Sequence, residues 1–229
     1  MAKYGTVIWV MILAAFAAFL IVPSTHQLFV SATSSHPYIM GFIKFAILST
    51  MGEFLATRLV FKRWQMVPGM LPKMFIWGVL GVLIVMMFSV YADGVSDAIN
   101  KGLLWTGGVD GGFPAKLLKA LYISAIMNLA FAPAFMAAHR ITDTWIDARY
   151  SVNEKGDPGK GISISQAISV IDWSGFFKFV VGKTIPLFWI PAHTITFLLP
   201  DTYKVIFAAS LSIVLGLILS FAKMRTASV

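Results

Sequence analysis

The chain has 229 residues, of which 58% are hydrophobic and only 12% are charged. Because a soluble domain carries about 25% charged residues, this composition indicates one membrane domain rather than a soluble protein. The absence of cysteine excludes disulfides, thiol catalysis and cysteine-ligated zinc. The formal charge of +8 does not indicate a nucleic-acid partner, because the basic residues lie between apolar runs rather than together on one exposed face.

Six apolar segments predict an all-α protein. They cover residues 6–22, 38–61, 75–92, 117–138, 176–199 and 205–222. A helix needs roughly 20 apolar residues to cross a bilayer, with about 17 as the lower bound, so four to six of these segments are long enough to span. We therefore expect a polytopic transmembrane helical bundle of about six apolar helices, embedded in a lipid bilayer.

The first segment is the shortest, and two interpretations fit it. Lys3 precedes it and Val30-Ser31-Ala32 loosely resembles a cleavage site, as in a signal peptide. We expect a retained transmembrane helix instead. Aromatic side chains near segment ends fit an interfacial belt; these are Trp64, Trp77, Trp105, Trp145, Trp173 and Trp189.

Two polar connections interrupt the apolar pattern. Residues 93–114 are rich in glycine and predict an exposed loop, with a tight turn at Asp110-Gly111. Residues 139–172 form the longest polar loop, in which residues 153–159 predict a turn. Within that loop, residues 163–171 predict a short interfacial helix.

The positions of the cations predict the orientation, because Lys and Arg concentrate in cytoplasmic loops. With six crossings, three cations lie on one side and ten on the other; the ten are Lys3, Lys62, Arg63, Lys73, Arg140, Arg149, Lys155, Lys160, Lys223 and Arg225. We therefore expect both termini on the cytoplasmic side. The same asymmetry explains the basic net charge without any nucleic acid.

No catalytic constellation is evident in the sequence. The four histidines are too scattered for a two-histidine metal motif on one helix, and no Gly-x-Ser-x-Gly elbow is present. An intramembrane aspartic protease needs two carboxylates at depth, whereas Glu53 is the only acid well inside an apolar segment. We expect a protein that is not an enzyme, with no cofactor and no metal site.

Polar groups inside apolar segments are the remaining functional candidates, because their burial in lipid is costly. Glu53 is the foremost, as a group that sets cation preference or a pH-sensitive gate. It lies on a stripe of small and hydroxyl residues that comprises Ala46, Ser49, Thr50, Ala56 and Thr57. The stripe fits either a water-filled path or a close-packed helix seam. Glu53 itself fits a pore, a buried ion pair or a hydrogen bond to a neighbouring helix end, and the candidate partners are Lys44, Arg58 and Lys183.

The fourth and fifth segments carry a second set of candidates. Ser124 and Asn128 are four residues apart and share a helix face. Pro133 frees a backbone carbonyl one turn earlier in the chain and so predicts a kink beside the Asn128 amide. A gate and an interhelical hydrogen bond explain this pattern equally well. His193 lies among prolines and threonines in the fifth segment, where a role in packing competes with one in a pore.

Three motifs in order resemble the Mpv-seventeen/peroxisomal membrane protein family of small organellar membrane proteins. The first is His36-Pro37, followed after fourteen residues by Gly52-Glu53, where the family has Gly-Asp. The second is Phe131-Ala132-Pro133. The third consists of residues near the carboxyl end, namely Trp189, Pro191, Pro200, Tyr203 and Lys204. The resemblance implies that residues 35–229 form the family-like membrane domain and that residues 1–34 are an additional N-terminal helix and loop.

The resemblance implies a channel-like role for small solutes or ions. Six thin-walled helices leave little room for a pore, so a homo-oligomer is expected to form it. The start lacks the pattern of a mitochondrial transit peptide, which favours a bacterial inner membrane over an organellar inner membrane. The alternatives are a subunit that assembles with other membrane-complex subunits and, less favoured, a lipid- or quinone-binding protein.

Overall fold

A computed structural model describes residues 4–106, 111–151, 159 and 161–226. All regular structure in these residues is helical. The helices are α1 (Gly5–Ile21), α2 (Pro23–Ser35), α3 (Pro37–Phe61), α4 (Met70–Asn100), α5 (Gly112–Ala130), α6 (Ala132–Tyr150), α7 (Ile164–Val170), α8 (Trp173–Leu198) and α9 (Asp201–Thr226). The predicted all-α class is confirmed, and the helices fit the expected bundle.

The lengths and compositions of these helices fit a multi-pass membrane protein. Within the described ranges, α3, α4 and residues 201–218 of α9 are each long and apolar enough to cross a bilayer. Three bent pairs are also long and apolar enough when each pair is taken as one span: α1–α2, bent by 86°, α5–α6, bent by 47°, and α7–α8, bent by 67°. The chain therefore has three to six candidate spans, against four to six predicted.

Prolines set several of the helix boundaries. Pro23, Pro37 and Pro133 each lie at the start of a helix, where a missing backbone N–H leaves no hydrogen bond unmade. The predicted kink near Pro133 is confirmed, since α5 ends at Ala130 and α6 continues from Ala132 at an angle of 47°.

The helices extend into both polar connections. Helix α4 runs to Asn100, and α6 runs to Tyr150, so the first part of each predicted loop is helical. Polar side chains pair along the exposed end of α4, as Lys101 does with Asp97, four residues earlier, at 2.6 Å. The predicted short helix is present as α7, capped by the Ser163 hydroxyl. The predicted turns at Asp110-Gly111 and 153–159 lie largely outside the described residues.

The chain divides into two units, here called the first unit (residues 1–82 and 205–229) and the second unit (residues 83–204). Helix α3 is central to the first unit. The Trp9 indole of α1 donates to the Met51 carbonyl of α3 at 3.0 Å. Helices α4 and α9 each approach α3 closely at a glycine. The second unit contains the end of α4 together with α5 to α8.

Candidate functional site

The structure distributes the predicted pore-lining or gating residues over both units. Glu53, Ser49 and Thr57 lie on α3 in the first unit. Asn128, on α5, belongs to the second unit, as do Pro133 and His193. Each group therefore has to be judged by its own contacts.

Gly52 and one member of the α3 stripe, Ala56, form a packing seam with α9. A Cβ on Gly52 would lie 3.1 Å from the Ser212 carbonyl oxygen of α9, and one on Gly216 would lie 3.2 Å from the Gly52 carbonyl oxygen. A Cβ on Gly216 would also lie 3.7 Å from the Cβ of Ala56. Small residues four apart on both helices therefore let the two backbones approach closely. For this face of α3, packing explains the small residues.

Glu53 has a specific hydrogen-bond partner that the sequence did not indicate. The indole Nε1 of Trp77, on α4, donates to Glu53 Oε1 at 2.8 Å, and both side chains are half-buried. Among the described contacts, neither Lys44 nor Arg58 forms the expected ion pair with Glu53. One carboxylate oxygen therefore accepts from an indole that the sequence analysis assigned to the interfacial belt.

The hydroxyl residues near Glu53 differ in their surroundings. Ser49 Oγ and Thr50 Oγ1 are buried and have no hydrogen-bond partner in the described part of the chain. Thr57 is half-buried on the same helix. These hydroxyls are compatible with either of the two interpretations of the stripe.

The second unit contains a continuous polar network between α5 and α8. The Ser124 hydroxyl donates to the Ile190 carbonyl at 2.7 Å, and Asn128 Nδ2 donates to the Ser124 carbonyl at 2.8 Å. The same Nδ2 lies 3.1 Å from Nδ1 of His193. Ser124 and Asn128 are fully buried, and His193 is only 7% exposed. We call Ser124, Asn128, Trp189 and His193 the α5/α8 polar cluster.

The irregular winding of α8 positions its side of the cluster. Residues Phe176–Trp189 form a π-helix, in which the Ile190 N–H donates to the Ile185 carbonyl five residues earlier. Pro186 and Pro191 lack the N–H groups that a regular α-helix would need at these positions. This proline-containing stretch of α8 therefore winds as a π-helix rather than as a regular α-helix.

Aromatic rings surround the imidazole of His193. The Phe88 ring lies 5.7 Å from it in an edge-to-face arrangement, and the Trp189 ring lies 5.2 Å from it. Phe88 in turn packs against Phe197, with ring centroids 4.9 Å apart. The polar cluster is thus bordered by aromatic surface.

Two polar atoms of the cluster are buried without a hydrogen bond in the described structure. They are Asn128 Oδ1, which can only accept, and Trp189 Nε1, which can only donate. Leaving one such group buried and unsatisfied costs about 1–3 kcal/mol. The cluster can therefore offer one acceptor and one donor to a small polar molecule. Pro133 lies at the α5–α6 bend and takes no part in the network's hydrogen bonds.

Lys44 is a further candidate residue, which the sequence analysis names only as a possible partner of Glu53. It lies on α3, seven residues after Pro37, and its side chain is only 1% exposed. Its Nζ donates to the Thr33 hydroxyl of α2 at 2.9 Å and lies 4.5 Å from the ring centroid of Phe29. The signal in the sequence is a lysine well inside an apolar segment.

Most of the remaining family-motif residues lie at helix boundaries. His36 and Pro37 mark the point where α2 ends and α3 begins. Pro200 separates α8 from α9, and its carbonyl accepts from the N–H of Tyr203 at 2.9 Å. Lys204 pairs with the nearby Asp201 carboxylate. These positions explain the motif residues as determinants of chain direction.

No family model, curated protein or solved structure matches this chain. The resemblance to the Mpv-seventeen/peroxisomal membrane protein family therefore stays a prediction that depends on the three motifs. Within the described residues, no group of three His, Asp or Glu side chains could hold a metal ion.

Proposed function

We propose that this multi-pass membrane protein is a small-solute channel of the Mpv-seventeen type, with the α5/α8 polar cluster as its solute-contacting site. The observation that supports this role most directly is the pair of unsatisfied atoms, Asn128 Oδ1 and Trp189 Nε1. Polar groups inside membrane segments are costly and usually face a cavity or a pathway. A passing solute would supply the hydrogen bonds that the protein itself does not.

The local backbone agrees with this proposal. Helix α5 ends at a 47° bend, and α8 contains the π-helical stretch Phe176–Trp189 next to the cluster. In secondary transporters, interrupted helices near the middle of the membrane commonly form the solute site. The proposed solute is small and polar, with both a hydrogen-bond donor and an acceptor.

Glu53 is proposed to give this channel its preference for cations. Its carboxylate is half-buried and oriented by the Trp77 indole at 2.8 Å. A carboxylate in a medium of low dielectric attracts cations much more strongly than it does in bulk water. The wider proposal includes a protein without enzymatic activity, a homo-oligomeric pore, cytoplasmic termini and a bacterial inner membrane as the host.

Lipid or quinone binding is the second candidate, favoured by the aromatic border of the same cluster. A quinone ring would stack against Phe88 or Trp189, and its carbonyl oxygen would accept from Trp189 Nε1. The assembly-subunit alternative loses one of its arguments, because Gly52 and Gly216 already pack against each other's helices within this chain.

Solute flux into liposomes tests the proposal. Purified protein is reconstituted, and the uptake of glycerol, urea and monovalent ions is followed for the wild type, Asn128→Leu and the control Leu129→Ala. Leu129 is the next residue along α5 and is 63% exposed, so its truncation leaves the cluster intact. We expect wild-type and control flux to agree and the Asn128 variant to lose at least about tenfold, equivalent to about 1.4 kcal/mol of lost interaction with the passing solute.

Two outcomes would contradict the proposed channel. The first is the absence of flux from protein that is demonstrably folded and inserted. The second is equal flux in the wild type and Asn128→Leu, which would remove the cluster from the pathway. Saturable binding of a short-chain quinone without any solute flux would favour the second candidate.

A further inference from the structure

We propose that Lys44 and Thr33 form a binding site for a small inorganic anion of about the size of chloride. The site lies between α2 and α3 in the first unit and shares no residue with the α5/α8 polar cluster. It is therefore independent of the proposed channel. The inference begins with a buried cation: the Lys44 side chain is 1% exposed, although it lies within an apolar helix.

The ammonium group of Lys44 has more donors than the surrounding protein satisfies. It carries three N–H groups, one of which donates to Thr33 Oγ1 at 2.9 Å. The face of the Phe29 ring, 4.5 Å from Nζ, provides a weaker electrostatic contact. Among the described residues, no other acceptor and no carboxylate lies within bonding distance of Nζ. At least one N–H therefore remains available to a ligand.

Thr33 adds a second available donor at the same place. Its oxygen accepts from Lys44, which leaves its own hydroxyl hydrogen to donate. Buried threonines elsewhere in the chain donate to the carbonyl four residues earlier, as Thr194 does to Ile190 and Thr196 does to Ala192. Thr33 makes no such bond in the described structure. Two side chains from neighbouring helices thus present donors together.

The chemistry of these donors selects the ligand class. A site that offers an ammonium and a hydroxyl hydrogen suits a ligand that accepts hydrogen bonds. A negative charge on that ligand would also offset the desolvation of the buried ammonium, which is costly without a counter-charge. Lys44 and Phe29 are 1% and 2% exposed, and this enclosure fits a free monatomic anion better than a lipid headgroup.

Chloride-dependent thermal stability provides the test. The full chain is purified in a neutral detergent without anionic lipid, and sodium gluconate is replaced by sodium chloride at constant ionic strength. The variants are Lys44→Met, Thr33→Val and the control Lys62→Met, in which the lysine lies in an exposed position after α3. Lys44→Met removes the charge while keeping an unbranched side chain.

We expect the melting temperature of the wild type and Lys62→Met to rise saturably with chloride, as ligand binding to the folded state requires. Lys44→Met should show no response. Thr33→Val should need at least about tenfold more chloride, because it loses one hydrogen bond to a charged ligand. Chloride NMR line broadening, with displacement by bromide, measures the same site directly.

The absence of any response to chloride in the wild type would overturn the inference, and so would an unchanged response in Lys44→Met. If the Lys44 variant does not fold, the test depends on the chloride NMR signal with the wild-type protein and on the chloride response of Thr33→Val. The absence of broadening of the chloride signal by the wild type would contradict the site. Stabilisation by phosphatidylglycerol in gluconate, without any chloride effect, would identify a lipid headgroup and also overturn it. None of these measurements depends on solute flux, so this inference and the proposed channel fail separately.

Discussion

Replacing Asn128 with leucine should separate solute contact from protein stability. The two side chains are similar in size, so the change removes polarity without opening a large cavity. The variant loses the hydrogen bond from Nδ2 to the Ser124 carbonyl at 2.8 Å and the contact with His193 Nδ1 at 3.1 Å. It also removes Asn128 Oδ1, which is buried and unsatisfied.

The expected change in unfolding free energy follows from these opposing effects. Interhelical hydrogen bonds in membrane proteins contribute about 0.6 kcal/mol each on average, which applies to the contact between Asn128 and His193. With a similar amount for the bond to Ser124 within α5, the loss of both contacts costs about 1 kcal/mol. Removing an unsatisfied acceptor recovers about 1–3 kcal/mol, while leaving His193 Nδ1 without its partner costs a similar amount. These last two effects largely cancel, and we expect Asn128→Leu to destabilise the fold by only about 1 kcal/mol.

Reversible unfolding in mixed micelles with a denaturing detergent measures this difference, with Leu129→Ala as the matched variant on the exposed face of α5. The same preparations are assayed for liposome flux. If Asn128→Leu lowers the free energy of unfolding by more than about 3 kcal/mol, and its flux falls in proportion to the folded fraction, then Asn128 mainly holds α5 and α8 together. The reasoning that assigns the cluster to solute contact would then be wrong.

The remaining predictions concern packing, charge and helix geometry. Gly81→Ala should destabilise the fold by about 1–3 kcal/mol, because its Cβ would clash with the Gly41 carbonyl oxygen and lie 2.7 Å from the Phe45 Cβ, both on α3. Gly94→Ala, with nothing within 4 Å, should be neutral or stabilising by up to about 1 kcal/mol. Equal unfolding curves for Gly81→Ala and Gly94→Ala would contradict the close approach of α4 to α3 at Gly81. Glu53→Gln should lower cation selectivity measured from reversal potentials, whereas Trp77→Phe, which keeps the charge, should preserve its sign. Pro133→Ala should reduce the 47° bend between α5 and α6, which spin-label distances report; an unchanged bend would assign it to tertiary packing.

The helices could be predicted from the sequence because hydropathy is a local property. Apolar segments of about 20 residues indicate helices wherever they occur, and Pro133 predicts a bend because it lacks an N–H. The π-helical winding of residues Phe176–Trp189 could not be predicted in the same way. Pro186 removes a donor, but the contacts of the surrounding helices decide how the backbone accommodates that loss.

The candidate site was predictable only within single helices. Ser124 and Asn128 share a face because they are four residues apart, and the structure joins them directly at 2.8 Å. The contact between Asn128 and His193 depends on the rotation and axial position of two helices, which hydropathy does not determine. Glu53 illustrates the same limit, because hydropathy does not indicate its hydrogen bond with the Trp77 indole of a neighbouring helix.

Completeness of hydrogen bonding, rather than polarity alone, selects the candidate functional residues inside these helices. Thr194 and Thr196 are buried, but each hydroxyl donates to a carbonyl of its own helix and needs no ligand. Asn128 and Lys44 are just as buried and keep an acceptor or a donor that the described protein does not satisfy. A buried polar atom without a hydrogen bond is costly. Each of these two side chains therefore either binds an external partner or lowers the stability of the fold. The flux and chloride measurements distinguish these explanations at each residue.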